Sequence, residues 1–176
     1  MTNSDPGAAR LSYADRDETA LVALMTVIAP RLAAGAVVYL KGDLGAGKTT
    51  CARALIQALG YPHRVKSPTY ALLEEYRLAA VNVFHLDLYR LSDPRDVVDL
   101  GLEECLEQHP ALLLIEWPER GHPYLPQADL VFALKLAPIG RELEISAASR
   151  RGQQLLQTLP EFAGACAQAD APPSPA

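Results

Sequence analysis

The chain has 176 residues, 49% of them hydrophobic, which suffices for one domain with a full core. Its 16 basic and 21 acidic residues leave a net charge of −5, against a chain that grips RNA or DNA through its own charge. No apolar run approaches the roughly 18 residues of a membrane span, no signal-peptide core opens the chain, and Cys51, Cys105 and Cys166 are too scattered for a disulfide framework or zinc site, as in a reducing cytoplasm.

Met1 to Arg10 reads as a polar, disordered N-terminus, and Leu11 to Tyr13 as a short strand. Asp15 with Glu18 resembles a capping box opening a helix. Leu21, Leu24, Met25, Ile28 and Leu32 form one apolar stripe that packs on a sheet, with a kink or break expected at Pro30. Ala36 to Leu40 is a buried strand.

Gly42-Asp43-Leu44-Gly45-Ala46-Gly47-Lys48-Thr49 then fits G-x-x-x-x-G-K-[ST], the phosphate-binding P-loop. Thr50 to Leu59 continues as a helix, with Ala52, Leu55, Ile56 and Leu59 at helical spacing and Gly60 as a stop. Strand, glycine loop and helix are the context the motif needs. Glycines 42, 45 and 47 let the backbone approach a polyphosphate, and successive N–H groups with the helix dipole make an anion cradle. Lys48 brings charge to the outer phosphates, and the Thr49 hydroxyl is a Mg²⁺ ligand. The chain is therefore expected to bind a nucleoside triphosphate with Mg²⁺.

His63 to Tyr70 is a polar loop placed to fold back over the phosphates. Thr69 in it is either an ordinary loop residue or a switch that senses the nucleotide. Ala71 to Arg77 and Val81 to Arg90 read as two strands of a hairpin. Along the second, Phe84, Leu86 and Leu88 share one face, and His85, Asp87 and Tyr89 the other. That second face is either solvated or holds Asp87 near a cation, which Mg²⁺ on the P-loop Thr would supply.

Ser92-Asp93-Pro94 is a cap, followed by short helices at Arg95–Leu100 and Leu102–Gln108. Leu112 to Ile115 closing on Glu116 is the Walker B pattern. It is a buried strand delivering a carboxylate beside the P-loop, where Glu116 either binds Mg²⁺ through water or orients the attacking water. Trp117, the only Trp, is either core or packs near the nucleotide. Leu130 to Leu136 alternates as a strand, Pro138 to Gly140 turns, and Leu143 with Ile145 marks another strand. Gln153 to Cys166 has helical spacing, limited by Pro160, and the proline-rich end is a disordered tail. Residues 11–167 thus read as one domain and 168–176 as tail.

Gly42–Thr49, Ser67-Pro68-Thr69-Tyr70, His85-Leu86-Asp87-Leu88-Tyr89-Arg90 and Ile115-Glu116-Trp117-Pro118-Glu119, in this order, resemble the TsaE (YjeE) family. Those are bacterial P-loop ATPases needed to make threonylcarbamoyladenosine (t6A) at position 37 of tRNA. The resemblance covers residues 11 to 160. It implies an α/β fold: a single P-loop NTPase domain, with a mostly parallel central sheet carrying antiparallel strands and helices on both faces. It implies ATP and Mg²⁺ as cofactors and a cytoplasmic location. By position, Lys48, Asp87 and Glu116 are the catalytic residues, Thr49, Asp87 and Glu116 the metal ligands, and Thr69 the switch residue. The nucleotide falls to Gly42, Asp43, Leu44, Gly45, Ala46, Gly47, Lys48, Thr49, Thr50 and Trp117. The implied partners are the threonylcarbamoyl transferase and its inactive paralogue, with tRNA reached indirectly through that complex. Tyr70 stands where Phe is common, and Asp93-Pro94-Arg95-Asp96 departs from the more acidic Asp-Pro-x-Glu, so Asp96 receives no role. No arginine finger stands out, with Arg90 a candidate in cis, so slow hydrolysis alone and faster hydrolysis with partners is expected. The alternatives are a small P-loop kinase and a nucleotide-gated protein-binding module.

Overall fold

A computed structural model describes residues 10–14, 17–68 and 71–160 of the chain. The expectations for the N-terminal stretch 1–9, for Asp15, Thr69 and Tyr70, and for residues 161–176 lie outside the described residues.

The core elements are those the apolar patterns imply. Strand β1 (Arg10–Tyr13) leads to helix α1 (Glu18–Leu32), β2 (Ala36–Lys41) and α2 (Lys48–Ala58). Arg10, expected in the N-terminal tail, is already paired with Ser146. Asp17 caps α1, its carboxylate accepting from the Ala20 N–H at 2.7 Å. Helix α1 also runs past Pro30 to Leu32 rather than breaking there. Pro30 is exposed and falls in the last turn, so the hydrogen bond it removes comes at the helix end beside water. The buried face of α1 carries Leu21, Leu24, Met25, Ile28 and Leu32. Each such burial contributes about 1.5–3 kcal/mol.

The second half begins with β3 (Leu73–Arg77) and β4 (Asn82–Asp87), paired antiparallel as the hairpin reading expects. β4 is shorter than the predicted strand and stops at Asp87. A 3₁₀ helix (Pro94–Leu100), α3 (Leu102–Glu107) and β5 (Ala111–Glu116) follow. After a second 3₁₀ turn (Pro118–Arg120) come β6 (Leu130–Leu136), β7 (Arg141–Ala147) and α4 (Arg150–Thr158). Helix α4 starts ahead of the expected Gln153 because Ser149 caps it, accepting from the Gly152 N–H at 2.9 Å, and it ends before Pro160.

The seven strands form one sheet in the order β1-β7-β6-β2-β5-β4-β3. The central strands β6, β2, β5 and β4 are parallel, and β1, β7 and β3 are added antiparallel at the edges. β2 and β5 are buried on both faces, which is why they read as unbroken apolar runs. One face packs Val38, Leu40, Leu112, Leu114 and Phe132 against α1 and α2. The other packs Val37, Phe84, Leu86, Leu113 and Ile115 against Val97, Leu102 and Cys105 of the 3₁₀ helix and α3. This is the single α/β domain with helices on both faces that the motifs imply. Parallel β2, β4 and β5 end at one level, so the loops leaving their carboxyl ends converge on a single crevice.

Candidate functional site

The crevice is a cleft of about 330 Å³ above β2, β5 and β4. Its floor is the P-loop, with Leu44, Gly45, Gly47, Lys48, Thr49 and Thr50 in the lining. Gly47 caps α2 at φ +108°, a left-handed conformation that a Cβ would strain. That bend aims the first turn of α2 into the cleft, where its unpaired N–H groups favour an anion.

Lys48 Nζ donates to the Gly42 carbonyl at 2.6 Å and the Asp43 carbonyl at 2.8 Å, and lies 3.7 Å from the centre of the Trp117 ring. It is only 4% exposed. Burial draws its proton affinity below the ordinary lysine value, while Glu116, Glu119, Asp87 and Asp43 push it back up.

Glu116 closes β5 and is 2% exposed. Its Oε2 accepts from the Thr49 hydroxyl at 2.8 Å, and its Oε1 lies 2.8 Å from Nε2 of the fully buried His85. The Glu116 carboxylate is thus held on both oxygens, one tie to the P-loop helix and one to the neighbouring strand. Asp87 sits directly beside it, in register on β4, and its Oδ1 accepts the Tyr89 N–H at 3.1 Å. The face carrying His85 and Asp87 is therefore not solvated: the two residues are 0% and 5% exposed.

Trp117 follows Glu116 at φ +58°, a conformation uncommon outside glycine. This turns the chain sharply after β5 and lays the indole over Lys48 and against Tyr89, with ring centres 5.0 Å apart. Trp117 lines the cleft and also packs against the apolar core on that face of the sheet.

Thr49, Asp87 and Glu116 are hard oxygen donors brought to one spot. Among the described residues no group of three or more His, Cys, Asp or Glu is arranged to hold a metal ion unaided. A cation here would complete its shell with phosphate and water oxygens, which is how Mg²⁺ is commonly held. The donor set fits that ion.

Three comparisons with known proteins bear on this cleft. The model of the family described as threonylcarbamoyl adenosine biosynthesis protein TsaE matches residues 15–143. The TsaE protein of Haemophilus influenzae is 41% identical over 120 residues, 68% of this chain and 75% of its own. That of a Nostoc species is 38% identical over 78% of this chain and 85% of its own. The chain belongs to the TsaE family. Its fold agrees: a crystal structure of Bacillus subtilis YdiB superposes with a TM-score of 0.71 at 28% identity, covering 86% of this chain and 95% of that one.

The span matched by the TsaE model contains the whole lining of the cleft, from Leu44 to Arg141. Of the residues picked from sequence, Leu44, Gly45, Gly47, Lys48, Thr49, Thr50, Asp87, Glu116 and Trp117 line it together, and Arg90 joins them. Gly42 and Asp43 lie under the Lys48 ammonium, and Ala46 is fully buried in the core below. Ser67 of the loop after α2 reaches the cleft, while Thr69 lies outside the described residues. Among residues given no site role from sequence, Ser67, Tyr89 and Arg141 line the cleft and His85 contacts Glu116. His85 shares a strand face with Asp87, and that alternation is the sequence signal for it. Arg141 begins β7, far along the chain, and only the closing of the β6–β7 hairpin brings it to the P-loop.

Proposed function

We propose that this TsaE-family chain is a Mg²⁺-dependent ATPase that serves t6A modification of tRNA, working with the threonylcarbamoyl transferase and its paralogue. Relatives named as tRNA threonylcarbamoyladenosine biosynthesis proteins support the pathway. The observation that carries the chemistry is the 2.8 Å contact of the Thr49 hydroxyl with Glu116, beside Asp87 at the mouth of a P-loop.

In this reading the P-loop amides and Lys48 hold the phosphates, and Thr49, Asp87 and Glu116 hold Mg²⁺ and position water. Mg²⁺, when bound, neutralises charge on the phosphoryl oxygens. Phosphoryl transfer asks mainly for position and charge neutralisation, and His85 keeps Glu116 in place for both. The acidic chain docks on partner proteins instead of holding tRNA by its own charge. It works in the cytoplasm, and no helix among the described residues is long and apolar enough to cross a membrane.

The test is reconstitution of t6A formation over several turnovers with the transferase pair and tRNA. Wild-type protein is expected to hydrolyse ATP slowly alone and faster with the pair, and to sustain modification. Lys48→Ala and Asp87→Ala are expected to lose hydrolysis and modification together. Normal hydrolysis by either variant within the complex would sink the assignment.

A further inference from the structure

We infer that Arg141 is a nucleotide-binding residue, gripping the phosphates shared by ATP and ADP from the β7 side of the cleft. The inference rests on the nucleotide reading above and adds to it a contact from outside every motif.

Arg141 is the first residue of β7 and pairs with Leu136, the last of β6. Because β6 runs parallel to β2, that hairpin end lies at the level of the P-loop. The Arg141 side chain crosses to α2 and lines the cleft. It packs on Gly47: a Cβ there would sit 3.1 Å from the Arg141 Nε and 3.2 Å from its Cδ. The guanidinium is thus laid against the residue that opens the anion cradle.

One of its donors is unspent. The Nε is buried without a hydrogen-bond partner among the described residues. None of the ion pairs found among those residues involves it. Arg53 also has a buried Nε without a partner but does not line the cleft, whereas Arg77 and Arg95 pair with neighbouring carboxylates and Arg151 donates to the Ala34 carbonyl. Lys48 in the same cleft has its ammonium on two carbonyls. A buried donor without an acceptor is costly, and a cationic fork beside an anion cradle has an evident acceptor in a phosphate oxygen.

The sheet order settles which phosphates. Asp87 and Glu116 stand on β4 and β5, on one side of β2. Arg141 stands on β7, on the opposite side of β2. The carboxylates mark the end where metal and terminal phosphate go, so Arg141 faces the inner phosphates. It is a binding residue for the product as much as for the substrate.

Titration calorimetry of the full chain with Mg–ATP, Mg–ADP and metal-free ADP tests this. Arg141→Gln is expected to weaken all three by about tenfold or more, the loss of a charge-assisted contact. Arg141→Lys is expected to recover part of that, keeping the charge without the fork. Unchanged affinity in Arg141→Gln overturns the inference while leaving the nucleotide reading intact. A loss confined to ATP overturns the placement on the inner phosphates. Failure of wild-type protein to bind any nucleotide sinks the underlying reading and the inference with it. Should Arg141→Gln not fold, wild-type affinity in Arg141→Lys overturns the inference, and a weakened ADP affinity with an unchanged melting temperature supports it.

Discussion

Glu116 shows how much one side chain can be asked to do. It holds the P-loop Thr49 with one oxygen and meets His85 with the other, and it is all but buried. Replacing it by Gln keeps the size and one acceptor, so ATP affinity is expected to change little. Hydrolysis in the presence of the partners is expected to fall by about 10²-fold or more, as for loss of a positioned carboxylate. Steady-state kinetics separate the two effects. His85→Ala removes a partner of a buried carboxylate and is expected to cost about 1–3 kcal/mol, read from urea unfolding. At this scale the sequence was legible wherever chemistry left a local pattern. Asp87 stood out because an acid on a strand face needs a reason, and Glu116 because it ends an apolar run. Arg141 did not, since its neighbour Gly47 is nearly a hundred positions away and no local pattern records that approach.

Helix α4 illustrates the same limit for elements. Its apolar spacing is plain, but its start depends on Ser149, which caps it and also donates to Asp129 at 2.6 Å. Asp129 in turn accepts the Val37 N–H at 3.0 Å, tying α4 to the central strand. This buried carboxylate is structural and lies away from the cleft. Gly152, in the first turn of α4, has room for nothing more: a Cβ there would come 1.8 Å from the Asp129 carbonyl oxygen. A helical glycine replaced by alanine ordinarily gains about 1 kcal/mol. Here the sign is expected to reverse, with Gly152→Ala destabilising by about 1–3 kcal/mol through overpacking against backbone. Ser149→Ala is expected to cost about 1 kcal/mol for the lost cap. Thermal melts of both variants check this. The cap of α1 is likewise a local matter, the Asp17 carboxylate accepting from the Ala20 N–H.

The molecule as a whole is organised by strand order, which the sequence carries only indirectly. Alternating strands and helices imply a parallel core, yet nothing local says that β2 lies between β5 and β6. The three-dimensional consequence is a core that shields several groups from ionisation. Burial raises the Cys105 thiol above its usual 9.0, and likewise the Tyr39 and Tyr76 hydroxyls above 10.0. A folded pKa above the unfolded one gives stability that is full below the unfolded value and lost as pH rises through the folded one. Melting temperature is therefore expected to hold through neutral pH and to fall progressively as pH rises past about 9. Tyr39→Phe, which also removes a hydrogen bond to the Pro126 carbonyl, is expected to flatten the part of that fall above about pH 10. A melting temperature indifferent to pH across that range would contradict this view of the core.

The proposed function requires the cleft above β2 to hold a metal–nucleotide complex. The most direct measurement is calorimetric titration of Mg–ATP into the purified chain and into its Lys48→Ala variant. One site per chain is expected on the wild-type protein, with an affinity lowered by about tenfold or more in the variant, as for a lost charge-assisted contact. Binding that is absent in the wild-type protein, or untouched by Lys48→Ala, would contradict the proposed function.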